Sequence, residues 1–138
     1  MESKAFRRKL IKSELGVMPK GSHKSKEHDI QVSCMTWLRY QHPKLYKVTF
    51  AVPNGGVRDK ATAALMVAEG EKAGVSDLIM LYPSDGYAAL CIEMKTPVGR
   101  QSDAQKEWQK NVENISQAKY VICRSLEDFI KEVNEYVR

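Results

Sequence analysis

The sequence lacks any hydrophobic run long enough to cross a bilayer, which takes about 20 consecutive apolar residues. Its first residues lack the apolar core and the small-residue cleavage site of a secretory signal peptide. The three cysteines, Cys34, Cys91 and Cys123, are far apart and include no CxxC pair. The sequence therefore predicts neither a disulfide framework nor a structural zinc site. Together these absences favour a protein of the reducing cytoplasm, with no membrane partner.

Positive charge is concentrated near the amino terminus. The first 26 residues contain eight basic and two acidic side chains, whereas the rest of the chain contains 14 basic and 15 acidic ones. We predict that residues 1–26 form a basic, flexible arm and that residues 27–138 form one domain. Such an arm suits a polyanion such as nucleic acid; the alternative is a solubilising or expression-derived tail.

Hydrophobic periodicity and turn residues predict a mixed α/β domain with the element order α-β-α-β-β-α-β-α. The predicted helices cover residues 26–41, 59–71, 102–115 and the segment after Ser125, and the predicted strands cover residues 46–52, 76–82, 87–95 and 118–123. The second and third strands should form an antiparallel hairpin around a turn at residues 83–86. The last strand follows a helix and should join in parallel through a crossover, giving a four-stranded mixed sheet flanked by helices.

Three charged residues of the predicted hairpin stand out. Glu93 and Lys95 are two residues apart on one strand, so their side chains share a face. Asp77 begins the preceding strand, which places it beside them across the hairpin. The pattern D…ExK is loose, and a surface salt-bridge cluster at a hairpin end is an alternative explanation.

Two converging carboxylates repel each other, and the pKa of one should rise unless a cation lies between them. A hard divalent cation with oxygen ligands relieves this repulsion, and Mg²⁺ prefers a few carboxylates together with water and phosphate. Such an ion polarises a phosphodiester and lowers the pKa of bound water, and a nearby lysine can orient that water or stabilise developing charge. The constellation thus favours metal-dependent hydrolysis.

Further motifs follow one another along the body of the chain: EHDIQ at residues 27–31, PNGG at 53–56, GVSDL at 74–78, IEMK at 92–95 and GRQSDAQ at 99–105. In this order and on these elements, they resemble the VRR-NUC family of the PD-(D/E)xK nuclease superfamily, in its stand-alone phage or bacterial form. Two positions depart from the family pattern, because Ser76 replaces the usual proline and Met94 occupies the variable position of ExK. Neither departure removes a candidate ligand.

The resemblance implies a restriction-endonuclease-like core and a Mg²⁺ or Mn²⁺ centre of one or two ions, without an organic cofactor. By that resemblance, Asp77 and Glu93 hold the metal with the Met94 backbone carbonyl, and Lys95 acts on the attacking water. Glu27 matches a first-helix glutamate that adds a carboxylate to the centre. The alternative for Glu27 is an ordinary glutamate in the first turn of a helix, where the helix dipole favours it.

Gln105 matches a catalytic glutamine of the family. Ser102 and Gln105 also form a capping-box pattern, so a structural role for Gln105 is an equal alternative. The remaining candidates are expected to contact DNA, although each is also compatible with an ordinary turn or a solvated surface position: Gln31, Asn54, Gly55, Gly56, Arg58, Lys60 and Arg100.

The function implied by the resemblance is a metal-dependent DNA endonuclease that hydrolyses phosphodiester bonds. Short members of the family are associated with branched DNA such as four-way junctions and with homodimers in bacterial or phage-infected cells. One alternative is a nuclease without structure preference, or the cutting subunit of a repair or restriction complex. Another is a nucleic-acid-binding module without catalysis, and the basic arm suits either class of function.

Overall fold

The computed structural model describes residues 26–53 and 58–138. The expected basic arm lies outside the described residues except for its last residue, and so do Asn54, Gly55 and Gly56. The helices are α1 (Lys26–Gln41), α2 (Pro43–Tyr46), α3 (Lys60–Ala68), α4 (Asp103–Ile115) and α5 (Leu126–Tyr136). The strands are β1 (Thr49–Ala51), β2 (Leu78–Met80), β3 (Leu90–Met94) and β4 (Lys119–Cys123). None of the helices in these ranges is long and apolar enough to cross a membrane.

The four strands form one mixed sheet in the spatial order β1-β2-β3-β4. β1, β2 and β3 are antiparallel neighbours, and β4 runs parallel to β3 after the α4 crossover. The predicted fold class, a four-stranded mixed sheet flanked by helices, is confirmed.

The two faces of β3 contact different helices, because side chains alternate along a strand. Leu90, Ile92 and Met94 are fully buried in the main core together with residues of α1 and α5. Cys91 belongs to a second, smaller core under α4. Glu93 shares the face of Cys91, so β3 carries its acidic residue toward the side of the sheet that α4 covers.

The first predicted strand is too long. Residues 46–52 were expected to be extended, but Tyr46 ends the one-turn helix α2, and β1 contains only Thr49–Ala51. Pro43 occupies the start of α2, where the fixed backbone angle of proline suits a helix. The Thr49 hydroxyl donates to the Leu45 carbonyl at 2.7 Å, which ties the strand to the end of this helix.

The β2–β3 connection spans residues 81–89 and is longer than the predicted four-residue turn. A tight turn lies at its tip, where Asp85 and Gly86 both have positive φ and Ser84 pairs with Tyr87. The Tyr136 hydroxyl donates to the Tyr82 carbonyl, which holds the connection against the end of α5. The hairpin is therefore anchored at the end opposite to its acidic residues.

Candidate active site

Strand register brings Asp77 beside Glu93. Leu78 pairs with Ile92 at the start of β2, so the next position along the antiparallel pair sets Asp77 opposite Glu93. The backbone N–H of Met94 donates to Asp77 Oδ2 at 2.7 Å, which fixes the aspartate against β3. The two carboxylates thus lie side by side at one end of the sheet.

The Glu93 carboxylate is enclosed, with only 1% of its side chain exposed. Its Oε1 atom lies 3.9 Å from Lys95 Nζ, and the Lys95 side chain is itself only 10% exposed. Its Oε2 atom is buried and has no hydrogen-bond partner among the described residues. A buried carboxylate oxygen without a partner is costly, which is unusual outside functional sites.

The electrostatics of the site is dominated by acids. Burial, followed by the charge of Asp77, raises the pKa of Glu93 to about 8, with Glu27 adding to the shift and Lys95 opposing it. The pKa of Glu27 is also raised, first by burial and then by Asp77, while Lys95 lowers it. Glu27, from the first turn of α1, therefore belongs to the same electrostatic cluster as the hairpin residues.

The acids do not form a compact ligand cage. Within residues 26–53 and 58–138, no three histidine, cysteine, aspartate or glutamate side chains form a group that could hold a metal ion. The metal-ligand roles of Glu27, Asp77, Glu93 and the Met94 carbonyl therefore stay predictions.

Gln105 makes both of the contacts that its sequence context suggested. Its Oε1 accepts the Ser102 N–H at 2.8 Å, and its own N–H donates to Ser102 Oγ at 3.2 Å, which completes the capping box of α4. Its Nε2 donates to Glu93 Oε1 at 2.9 Å. From the sequence, we expected the capping contact and the site contact to be alternatives. In the structure, one uses the oxygen and the other the nitrogen of the Gln105 side-chain amide, so both are made.

A pair of substitutions separates the two contacts of Gln105. Ser102→Ala should cost about 1 kcal/mol of folding stability through the lost cap and leave the Glu93 contact in place. Gln105→Ala should cost a similar amount and also lower the rate of DNA cleavage about tenfold, since Glu93 loses a donor that orients it. Urea unfolding and single-turnover cleavage measure the two effects, and equal rates for both variants would contradict the orienting role.

Gly74 and Ser76 seat the start of β2 against α4. Gly74 has a φ of +80°, and a Cβ there would lie 2.3 Å from the backbone of Ala104, so only glycine fits without displacement. The Trp108 indole N–H donates to Ser76 Oγ at 2.9 Å. Serine at this position, where the family usually has proline, thus supplies a hydrogen-bond partner for Trp108. These contacts fix Asp77 relative to Gln105.

Arg124 supports the turn after Lys95, a role that no sequence pattern indicates. Its Nη1 donates to the carbonyls of Thr96 at 2.8 Å and Gly99 at 2.6 Å. Gly99 lies over the Lys95 side chain, because a Cβ there would be 3.5 Å from Lys95 Cδ. A single arginine after a strand has no recognisable pattern, so only the structure identifies it.

The described DNA-contacting candidates lie on α1, at and just before the start of α3, and in the segment before α4. Gln31 lines a cavity of about 190 Å³ along α1 and α2. Arg58 is ion-paired with Glu71 at 2.5 Å, while Lys60 and Arg100 are exposed to solvent. The roles of these residues, like those of Asn54, Gly55 and Gly56, stay predictions.

Comparison with known proteins agrees with the fold. The family model of the VRR-NUC domain matches residues 25–127. A solved structure described as a VRR_NUC domain protein has a TM-score of 0.70 and 25% sequence identity, over 86% of this chain and 91% of that one. Among curated proteins, no match was found. The family match places the protein in the class of nuclease-type domains. The chain belongs to the VRR-NUC family, which confirms the resemblance seen in the sequence.

Proposed function

We propose that the protein is a Mg²⁺- or Mn²⁺-dependent DNA endonuclease that acts on branched DNA as a homodimer. The observation that carries the hydrolytic part of this proposal is the enclosed Glu93 carboxylate, beside Asp77 and Lys95, with one oxygen lacking a partner among the described residues. Branched DNA and the homodimer rest on the family resemblance alone. A purely structural salt bridge does not require a second carboxylate at this position or a buried oxygen without a donor.

The chemistry of the oxygen donors at this site, rather than their spacing in the structure, suits a hard divalent cation. Glu93 Oε2 is buried without a partner among the described residues. Asp77 and Glu27 both raise the pKa of Glu93, and Asp77 also raises the pKa of Glu27. Carboxylate and carbonyl oxygens are the ligands that Mg²⁺ and Mn²⁺ accept. Glu27, Asp77, Glu93 and the Met94 carbonyl would hold the ion. When bound, it would polarise the phosphodiester and lower the pKa of a water molecule.

The other site residues have separate tasks. Gln105 holds Glu93 Oε1 by its amide, which leaves Oε2 for the metal. Lys95 places a positive charge 3.9 Å from Glu93 Oε1, where it would orient the attacking water and stabilise charge that develops on the phosphate. Gly99 and the Arg124-supported turn hold the stem of Lys95 in place.

Substrate DNA would approach from the end of the sheet that bears Asp77. Arg100 follows the Lys95 turn and is exposed, so it is available for phosphate contact near the site. We assign a further phosphate contact to the exposed Lys60 at the start of α3. Arg58 would reach DNA only by sharing its charge with Glu71. We assign further phosphate contacts to Gln31 and to the backbone of Asn54, Gly55 and Gly56, where glycine admits a close approach.

A panel of DNA substrates tests the proposal. A four-way junction, a linear duplex of the same sequence and a single strand are incubated with Mg²⁺, Mn²⁺ or EDTA. We expect cleavage only with metal and at least about tenfold faster on the junction, because two active sites related by a two-fold axis match two symmetric strands. Equal rates on all substrates would favour a nuclease without structure preference. Binding without cleavage under every condition would favour a non-catalytic module.

A further inference from the structure

The cavity of about 190 Å³ along α1 and α2 has no task in the hydrolytic site described above. Six of its lining residues belong to α1, between His28 and Arg39, and the seventh is Tyr46 of α2. Their spacing follows the repeat of three or four residues that sets side chains on one face of a helix. The cavity is smaller than the roughly 300–1,000 Å³ of pockets for drug-sized ligands, so it suits a single ring system.

The cavity begins one helical turn from the candidate active site. Glu27 belongs to the acidic cluster with Asp77. Gln31 follows Glu27 by four residues, which separates the two by about 6 Å along α1 and about 40° around it. Arg39 lies about 12 Å beyond Gln31 along the helix axis. A DNA strand bound at the acidic cluster therefore passes close to the end of the cavity that Gln31 lines.

The walls of the cavity combine apolar, aromatic and cationic groups. Val32 and Met35 supply apolar surface, and the guanidinium carbon of Arg39 lies 5.9 Å from the centre of the Tyr46 ring. Nucleobases stack on aromatic rings and on guanidinium planes. The Thr36 hydroxyl donates to the Val32 carbonyl at 2.8 Å, so it can only accept a hydrogen bond from a ligand.

We propose that this cavity receives one unstacked base of the bound DNA strand. The base packs between Val32, Met35 and the Arg39–Tyr46 pair, and one of its N–H groups donates to the Thr36 hydroxyl. Every DNA base carries an N–H donor, so the cavity accepts a base with little regard to its identity. The inference rests on the proposed function and deepens it, because it names the feature of the substrate that the domain recognises.

A phosphate alone and an intact duplex suit the cavity less well. A phosphate enclosed by Val32 and Met35 would lose its hydration against apolar surface. A paired base must first leave its stack, and the cost of this step is least for a base that is already unpaired. The cavity therefore favours DNA that has unpaired or weakly paired bases beside the cleaved bond, as at a branch point.

Equilibrium binding of DNA in EDTA tests the cavity without cleavage. Val32→Phe fills the cavity from a half-buried position. We expect it to weaken binding to a four-way junction and to a single strand about tenfold, since one base loses its stacking surface, and to leave duplex binding unchanged. Ile115→Phe is the matched control, because it enlarges an aliphatic side chain in the same way at the end of α4, where Ile115 is 81% exposed. It should leave all three affinities unchanged.

Arg39→Ala provides a second variant at an exposed position, so it tests the cavity even if Val32→Phe does not fold. It should weaken binding to the junction more than binding to the duplex, because it removes part of the stacking surface as well as a charge. Circular dichroism verifies the fold of all three variants.

Removal of single bases from the strand around the branch point locates the base. One abasic position should weaken binding about tenfold in the unaltered chain and have no effect in Val32→Phe, because both changes remove the same contact. Equal affinity for intact and abasic DNA at every position would overturn the inference. So would unchanged junction binding by Val32→Phe, which is also expected if another segment of the chain occupies the cavity. Selective weakening by Val32→Phe without cleavage in any metal would support the cavity and reject the nuclease proposal.

Discussion

Glu93→Gln should abolish DNA cleavage while the domain stays folded. The substitution keeps the size of the side chain and its contact with the Gln105 amide, but it removes the negative charge beside Asp77 and Lys95. We expect the single-turnover rate to fall at least about a thousandfold, which corresponds to about 4 kcal/mol of transition-state stabilisation. Cleavage of a labelled junction at saturating protein measures the rate, and circular dichroism with thermal unfolding measures the fold.

The control for this prediction is Glu107→Gln, which makes the same chemical change at an exposed position of α4. It should cleave at the unaltered rate. Asp77→Asn and Lys95→Met should behave like Glu93→Gln, because each removes a charge from the same cluster. Full activity of Glu93→Gln would remove the basis for assigning hydrolysis to this site.

The second large effect is on stability as a function of pH in the absence of divalent metal. The pKa of Glu93 rises from its ordinary value of 4.5 to about 8 in the folded protein, chiefly because the side chain is buried and next to Asp77. Below about pH 4.5, Glu93 is protonated in both the folded and the unfolded state and does not lower the folding stability. As pH rises toward 8, the unfolded chain loses its proton more readily than the folded one, so folding stability decreases. The expected loss is on the order of a few kcal/mol.

Urea unfolding between about pH 4 and about pH 9, a range that spans the window from 4.5 to about 8, measures this loss. In EDTA, the chain should become less stable as the pH rises, and Glu93→Gln should lack that part of the slope. Added Mg²⁺ should restore stability at high pH in the unaltered chain and not in the variant, since a ligand stabilises only the state that binds it. Identical slopes for the two chains would show that Glu93 ionises without penalty.

Local sequence patterns predicted most of the fold. The helix over residues 26–41 and the capped helices after Ser102 and Ser125 are present, because periodicity and capping act within a few residues. The error at Tyr46 has the same local origin, since the β-branched and aromatic residues that follow it favoured a strand while Pro43 began a helical turn. The length of the β2–β3 connection was missed because it depends on contacts with α5 that are remote in sequence.

The candidate site was predictable where two neighbouring elements form it. Asp77, Glu93 and Lys95 belong to one hairpin, so strand alternation and a turn suffice to bring them together. The second contact of Gln105 and the support by Arg124 depend on how α4 and β4 pack over that hairpin, which no spacing in the sequence specifies. The exposure of α3 was equally hidden, because an alanine-rich apolar helix has the same composition whether it lies in a core or on a surface.

In the proposed function, the link between Gln105 and Glu93 makes the end of a helix part of the reaction chemistry. Helix ends open locally far more often than a domain unfolds. Each opening of the first turn of α4 releases the amide that holds Glu93 Oε1. Warming would therefore disorder the Glu93 carboxylate at temperatures well below the one at which the sheet unfolds. The upper working temperature of the enzyme would then be set by the fraying of one turn, which the exchange rate of the Gln105 backbone amide reports.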